Sequence, residues 1–270
     1  MKKNVKINDY DNSAHFVRVW ISFYTIAHKE IHRFLRIWSQ TLLPPVINQS
    51  LYFIIFGTFI GSQIRSVNGI QYMAFIVPGL VMMAVINSSF TNVVSSFFGS
   101  KFQRNIEELL VSPTPNYVIL AGYVMGGVAR GILVGAIVFG ISAFFTHPVI
   151  HNGFLVALFI FLTAVVFSLG GFINAVFATK FDDVAIFPTF VLTPLTYFGG
   201  VFYSIKDLPP VWQMLTRFNP ILYMVDGFRF GFYGVADVDV GFSVVMLFGF
   251  TILLSALALW LLKRGTGLRT

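Results

Sequence analysis

The chain has 270 residues, of which 56% are hydrophobic and 11% charged, with a mean hydropathy of +0.79 and a net charge of +7. A soluble domain carries about 25% charged residues, so a sizeable soluble domain is excluded; several apolar runs reach the ~20 residues that cross a bilayer, which points to one polytopic membrane domain. Cysteine is absent, which excludes disulfides, thiolate chemistry and cysteine metal sites.

The first fifteen residues, MKKNVKINDYDNSAH, are polar and lack the apolar core of a cleavable signal. From His15 to Trp38 the pattern is helical and two-faced. Phe16, Val19, Trp20, Phe23, Ile26, Ala27, Ile31, Phe34, Leu35 and Trp38 form an apolar stripe. Arg18, Ser22, Thr25, Lys29, His32, Arg33 and Arg36 form a cationic one. Such a helix is expected to lie in the headgroup layer, since no soluble part of the chain is available to cover it. His28 and His32 belong to this cationic face; in HKEIH the glutamate is misplaced for a zinc protease motif.

Six spans are expected next, at about Thr41 to Gly61, Tyr72 to Phe98, Tyr117 to Phe145, Phe154 to Ala178, Val184 to Val201 and Gly241 to Leu262. They divide the chain into a tail and interfacial helix (1–40), a six-span core (41–262) and a short tail (263–270). Pro78, Pro188 and Pro194 lie in or near spans, where kinks are expected. In span two, Asn87, Ser88, Thr91, Asn92, Ser95 and Ser96 fall mostly on one broad face. They line a pathway or hydrogen-bond a neighbouring helix; Asn87 and Asn92 stand out because a buried amide needs partners.

Arg130 is the costliest residue of the apolar region, near the middle of span three, where an arginine costs at least ~2.5–3.5 kcal/mol. Either it faces a wet vestibule or span three projects so that it reaches headgroup depth. Gly122 and Gly126, with Gly127, Gly131 and Gly135, permit close helix approach and favour a protein interface over lipid.

Two links interrupt the apolar pattern. The first, GSKFQRNIEELLVSPTPN at 99–116, places Phe102, Ile106, Leu109 and Leu110 on one helical face, with Arg104 and Glu108 at i,i+4. A short amphipathic helix closed by Pro113 and Pro115 either docks into a groove on a partner or tucks onto the bilayer. The second, IKDLPPVWQMLTRFNPILYMVDGFR at 205–229, is too polar to span and too apolar for a solvated loop. Pro209, Pro210 and Pro220 cut it into short pieces, so it reads as two half-helices that dip into the membrane. Irregular backbone survives at that depth only when packed on protein or lining a wet cavity. Tyr197, Phe198, Phe202, Tyr203, Trp212 and Tyr223 gather around it, as an aromatic belt or as ring faces that guide a substrate.

Charge fixes the expected orientation. With six spans both ends share a side, and that side, with the 99–116 and 179–183 links, collects 13 of the 18 basic residues. The positive-inside rule makes it cytoplasmic, and the 205–229 segment external. The excess positive charge then reflects topology and attraction to anionic lipid, not nucleic-acid binding.

Glu107-Glu108-Leu109-Leu110-Val111-Ser112-Pro113 resembles the cytoplasmic link after the second span of ABC-2-type exporter permeases. Asn219-Pro220-Ile221-Leu222-Tyr223, followed by Arg229 and preceded by Gly199-Gly200, resembles the C-terminal signature of the same family. The resemblance covers nearly the whole chain and is nearest the branch with nodulation-factor and lipo-oligosaccharide exporters. It implies an all-α membrane protein of the bacterial inner membrane, working as a homodimer with two copies of a cytoplasmic ABC ATPase. Phe102, Arg104, Ile106, Glu107, Glu108, Leu109 and Leu110 would form the coupling helix. Gly199, Gly200, Pro220, Tyr223 and Arg229 would shape an external gate. Asn87, Asn92 and Arg130 remain pathway or interface candidates.

The chain contains no G-x-x-x-x-G-K-[ST] to cradle ATP, so ATP and magnesium are expected on the partner, with no catalytic, cofactor or metal site here. Two other classes stay open. A stand-alone secondary transporter predicts inverted repeats and buried acidic residues; no clear repeat is seen and no Asp or Glu falls deep within an expected span. A polytopic membrane enzyme predicts convergent catalytic groups at one depth; none stands out.

Overall fold

The computed structural model describes residues 7–267 except Ser62 and Arg65, with side chains from Phe16 onward. Lys2, Lys3, Lys6, Arg65 and Arg269, which enter the charge count above, lie outside the described residues.

The chain is helical almost throughout. A long helix α1 (Ile7–Arg36) leads into α2 (Trp38–Thr41) and α3 (Leu43–Tyr52), which continues as a π-helical stretch, Phe53–Ile60. A small hairpin, β1 (Ser66–Val67) and β2 (Ile70–Gln71), precedes α4 (Tyr72–Phe102). The short α5 (Asn105–Val111), then α6 (Asn116–Ser142) and α7 (Gly153–Phe177) follow. Next come α8 (Phe181–Phe187), a π-helical stretch Pro188–Leu192, and α9 (Thr193–Tyr197). The chain ends with α10 (Pro210–Arg217), α11 (Pro220–Tyr233) and α12 (Val240–Arg264).

Among the described residues five stretches are long and apolar enough to cross a membrane: Trp38–Ile60, α4, α6, α7 and α12. Over 181–197 the expected fifth span is helical without interruption but changes type, α8 passing into the π-helical stretch at Pro188 and then into α9, with Pro194 near its start. Proline removes a backbone donor, and the widened turn accommodates the loss. Pro78 differs, since α4 stays α-helical through it. The segment 181–197 joins opposite ends of the molecule. Phe181 stacks near Phe98 and Phe102, whereas the Tyr197 and Tyr52 hydroxyls lie 2.7 Å apart.

α4 is the central mast. Its most apolar window is 89% buried, against 17% for Trp38–Ile60 and for α12, so those two present broad outer faces. α6 and α7 pack along α4, and α12 covers α7. The α6 glycines explain how these helices come so close. A Cβ on Gly122 would meet Ile26 at 2.5 Å and one on Gly126 would meet Glu30 at 2.5 Å, both on α1; Gly127 and Gly131 lie against Ser168 and Ser89 on the other side. The small-residue spacing therefore serves two interfaces at once.

α1 begins at Ile7, earlier than its amphipathic pattern suggests, and it packs on α6. The apolar stripe is consequently divided: Ile26, Ala27 and Phe34 are buried, whereas Phe16, Trp20, Leu35 and Trp38 are exposed. One edge of this helix is covered by α6, itself one of the membrane-length stretches.

Segments sort by end as the charge pattern groups them. The 99–116 link, the 178–183 turn and α1 meet at one end, where Thr114 Oγ1 donates to Ser22 Oγ at 3.4 Å. Lys101 Nζ there donates to the carbonyls of Val176 (2.8 Å) and Ala178 (2.7 Å), capping α7. Asp183 accepts from Thr179 Oγ1, Thr179 N and Lys180 N. At the other end Asn68 Nδ2 donates to Asp237 Oδ1 at 3.2 Å, and His151 and Asn152 N–H groups donate to the Phe232 and Gly231 carbonyls.

Candidate functional site

The 205–229 segment folds as two half-helices, α10 and α11. Asn219 caps α11, its Oδ1 accepting from Ile221 N at 3.0 Å, while its Nδ2 donates to the Leu195 carbonyl at 2.6 Å. Pro220 takes the first helical position, where no donor is needed. α10 stays outside with Trp212, Leu215 and Phe218 exposed, whereas α11 is buried along most of its length against α4, α7 and α12. Tyr223 closes the corner by donating to the Arg217 carbonyl at 2.8 Å.

Arg229 sits at the centre, 2% exposed. Its Nη2 donates to the Gly200 carbonyl at 2.6 Å, its Nη1 lies 3.4 Å from Asp226 Oδ1, and the guanidinium covers the Phe75 ring at 4.0 Å. Asp226 is as buried, and its Oδ2 accepts from Asp237 N at 2.7 Å and Val238 N at 2.9 Å. The Gly199-Gly200 pair is explained by the same contacts. A Cβ at Gly199 would meet Ile221 at 2.6 Å, and Gly200 has φ +74°, which L side chains avoid. Asp237 extends the network outward, accepting from Ser204 Oγ at 2.5 Å and pairing with Lys206 at 3.2 Å. Burial pushes its carboxyl up, but Ser204, Lys206 and Ile205 N outweigh that and hold it below the usual range. This outer contribution is therefore present above the ordinary carboxylate pKa and fades as pH falls through the depressed one.

Asp226 and Glu30 are buried carboxylates outside the expected spans, one in the 205–229 segment and one on α1. Each pairs with an arginine three residues on, Glu30 with Arg33 at 3.3 Å. The i,i+3 spacing is visible in the sequence and could have flagged both.

The polar residues of α4 do not share one environment. Asn87, Thr91 and Ser95 recur every four residues on its open side, whereas Ser88, Asn92 and Ser96 are buried. Asn92 is an interface residue, since its carbonyl and Oδ1 both accept from Arg33 Nη2 at 2.9 Å. Asn87 turns to its own helix, donating to the Met83 carbonyl at 2.9 Å. Trp38–Ile60 and 181–197 both pack against α4 and meet through the Tyr52 and Tyr197 hydroxyls, and Phe56 stacks on Phe202 at 4.2 Å.

Arg130 is 7% exposed, and its Nη2 donates to the Thr41 carbonyl at 2.9 Å. Thr41 Oγ1 in turn donates to the Phe34 carbonyl at 2.7 Å. The arginine pins the corner where α1 turns into the first membrane stretch, a protein interface and not an open vestibule. Arg130→Leu is expected to insert normally but to lose a charge-assisted bond of about 1.5–3 kcal/mol. Hydrogen exchange over 34–41 should then quicken and transport should fall, with Arg130→Lys partly restoring both. Unchanged exchange together with wild-type transport would remove the corner role.

The 99–116 link is shorter in helix than its pattern suggests. Phe102 ends α4 and stacks near Phe181 at 4.7 Å, instead of starting the link helix. Arg104 has φ +62° and caps α5, so it breaks the stripe, and no Arg104–Glu108 ion pair forms among the described residues. Ile106 is buried and Leu109 and Leu110 pack on the core, leaving Glu107 and Glu108 exposed at the tip.

Residues 21–233 match the family described as ABC-2 type transporter. The chain is similar to the inner membrane transport permease YadH of Escherichia coli strain K12, with 57% identity over 251 residues, covering 93% of this chain and 98% of the relative. It is also similar to nodulation protein J of Rhizobium leguminosarum bv. trifolii, 24% identical over 74% of this chain and 77% of the relative. Nodulation protein J of Rhizobium meliloti strain 1021 is 22% identical over 84% of this chain and 88% of the relative. With the all-helical membrane fold, the match over most of its length shows that the chain belongs to the ABC-2 type transporter family and is the membrane subunit of an ABC transporter.

Proposed function

We propose that two copies of this chain form the pathway of an inner-membrane exporter for a lipid-, saccharide- or drug-like substrate, driven by two copies of a separate cytoplasmic ATPase that binds ATP and magnesium. The observation that carries this reading is the open polar stripe Asn87–Thr91–Ser95 on α4, beside two membrane segments that meet through Tyr52 and Tyr197. Polar groups on the open side of a membrane helix face a wet cavity or a partner. Asn48 is likewise exposed on the first membrane stretch, whose outer face is broad. A second copy placed against that face and against 181–197 joins the two stripes around one pathway.

In this reading 181–197 is the fifth of six crossings, the termini are cytoplasmic, and α1 lies at the inner headgroup layer. α5 is the coupling helix, presenting Glu107 and Glu108 to the ATPase from a base of Ile106, Leu109 and Leu110. Phe102 and Arg104 orient it, the first through Phe181 and the second through its left-handed turn. The Tyr52–Tyr197 and Phe56–Phe202 contacts close the external end. Gly199, Gly200, Pro220, Tyr223 and Arg229 hold the half-helices that cap it.

Reconstitution in liposomes with a co-expressed P-loop ATPase tests this reading. ATP hydrolysis should depend on the permease, and Asn48→Cys copies should cross-link to each other. An ATPase that neither binds nor responds, with transport following an ion gradient instead, would favour a secondary transporter.

A further inference from the structure

The basic face of α1 does not end in open solvent. Together with the last turns of α4 it walls a cavity of about 930 Å³, within the range of small-molecule sites. Lys29, His32, Arg33 and Arg36 line one wall, and no carboxylate lines any part of it. Glu30, the acid on this stretch of α1, is fully buried and turned to Arg33. Arg33 is tied by Nε to Glu30 and by Nη2 to Asn92. Lys29 and Arg36 are exposed, and neither has a carboxylate within salt-bridge distance among the described residues. Lys29 also borders a second cavity, where Glu108 is present but unpaired with it.

The opposite wall supplies hydroxyls, from Ser95, Ser96 and Ser100. Ser95 belongs to the open stripe of α4, so the cavity adjoins the proposed pathway. Leu35 lines the cavity too, and exposed Trp38 follows two residues beyond Arg36, so the basin has an apolar border. Unpaired ammonium and guanidinium donors opposite hydroxyls match phosphate oxygens, for which charge-assisted bonds are the strongest available. The apolar border suits an attached acyl chain.

We propose that this cavity holds the phosphate headgroup of an anionic amphiphile at the mouth of the pathway. The proposal rests on the transporter reading only for its place beside a pathway; the binding chemistry stands without it. The phosphate is supplied by a resident lipid of the adjoining leaflet or by a transported one, and the chemistry recognised is the same.

The test uses the purified full-length permease without ATPase or ATP, titrated with short-chain phosphatidylglycerol or phosphatidylcholine and read by native mass spectrometry. Phosphatidylglycerol should bind preferentially. Each basic residue near a membrane surface contributes about fivefold, so Lys29→Gln with Arg36→Gln should weaken it about 25-fold. Lys263→Gln, a cation at the end of α12, should change it less than twofold. Both cavity side chains are exposed, so unfolding midpoints should match the wild type.

Wild-type affinity in the double variant would overturn the proposal, as would an equal loss in Lys263→Gln. Displacement of the lipid by equimolar inorganic phosphate would reduce the site to a free-anion site and overturn the amphiphile. Loss of ATPase association with lipid binding unchanged would assign the cavity to a protein partner instead. In proteoliposomes carrying the ATPase, ATP-dependent movement of phosphatidylglycerol to the other leaflet identifies a transported lipid, and its retention identifies a resident one; either supports the site. Because binding is read without ATP, it can fail while transport coupling stands, and the reverse.

Discussion

Arg229→Met should lower the stability of the permease by about 3–5 kcal/mol, the cost of leaving a buried charge without its partner. The size follows from where the arginine lies. Asp226 is 1% exposed, and after the substitution it keeps only the N–H groups of Asp237 and Val238 on one oxygen. The Gly200 carbonyl, in a left-handed turn, loses its donor, and the Phe75 face loses its cation. Removing the carboxylate as well, in Asp226→Leu with Arg229→Met, should cost less than the sum of the two single changes, with a coupling of about 1–3 kcal/mol. Full recovery is not expected, because the same carboxylate holds the chain between α11 and α12. Arg229→Lys should fall between, since an ammonium cannot reach both Gly200 and Asp226 with the fork of a guanidinium. Unfolding midpoints of the four variants in one detergent measure this. A single variant as stable as the wild type would show that the pair does not hold α11 in place.

The network clarifies which parts of this chain are legible from its sequence. The half-helices were readable because proline and Asn-Pro punctuation acts locally: Asn219 caps and Pro220 starts α11 as their chemistry dictates. Gly122, Gly126, Gly127, Gly131 and Gly135 are legible as close-packing positions from their small-residue spacing. What could not be read was the far side of each contact. The sequence leaves Arg130 between a vestibule and the headgroup region; its partner, the Thr41 carbonyl, is a backbone atom 89 residues away. The stripe on α1 looks continuous, yet α6 covers one edge of it and leaves Trp20 and Trp38 outside.

Two differences have local causes. Hydropathy predicts a plain helix for the fifth span and does not register the donor lost at Pro188 or the π-helical turns that follow. The Arg104–Glu108 pair was expected from helical spacing, and a left-handed Arg104 ends that spacing one residue before α5 begins. Asn68-Gly69 carried a clear hairpin signal, and the positive φ values of both residues, +51° and +79°, show the turn it encodes. It was hidden by the apolar runs on either side. Asp226 and Glu30 carry a visible signal, each three residues before an arginine, but that spacing does not say that the pair is buried.

Charge reversal at the tip of α5, Glu107→Lys with Glu108→Lys, should cut ATP-driven transport by about 5- to 150-fold, the range of a coupling free energy between two sites. Both side chains are exposed on a seven-residue helix whose other face is fixed by buried Ile106. The substitution therefore changes what the helix presents without changing what holds it, and stability should stay within about 0.5 kcal/mol of wild type. ATP hydrolysis by the partner should continue while transport falls, which separates uncoupling from unfolding. Ile106→Val supplies the contrast: it trims the anchor, costs about 0.5–1.5 kcal/mol, and should lower the unfolding midpoint with little effect on the ratio of transport to hydrolysis. Restoration by an opposite reversal on the ATPase surface would locate the contact directly. If transport and hydrolysis stay in their wild-type ratio in the double reversal, the dock lies elsewhere at this end. The next surface to test is then the turn at Asp182 and Asp183, which Phe181 joins to Phe102.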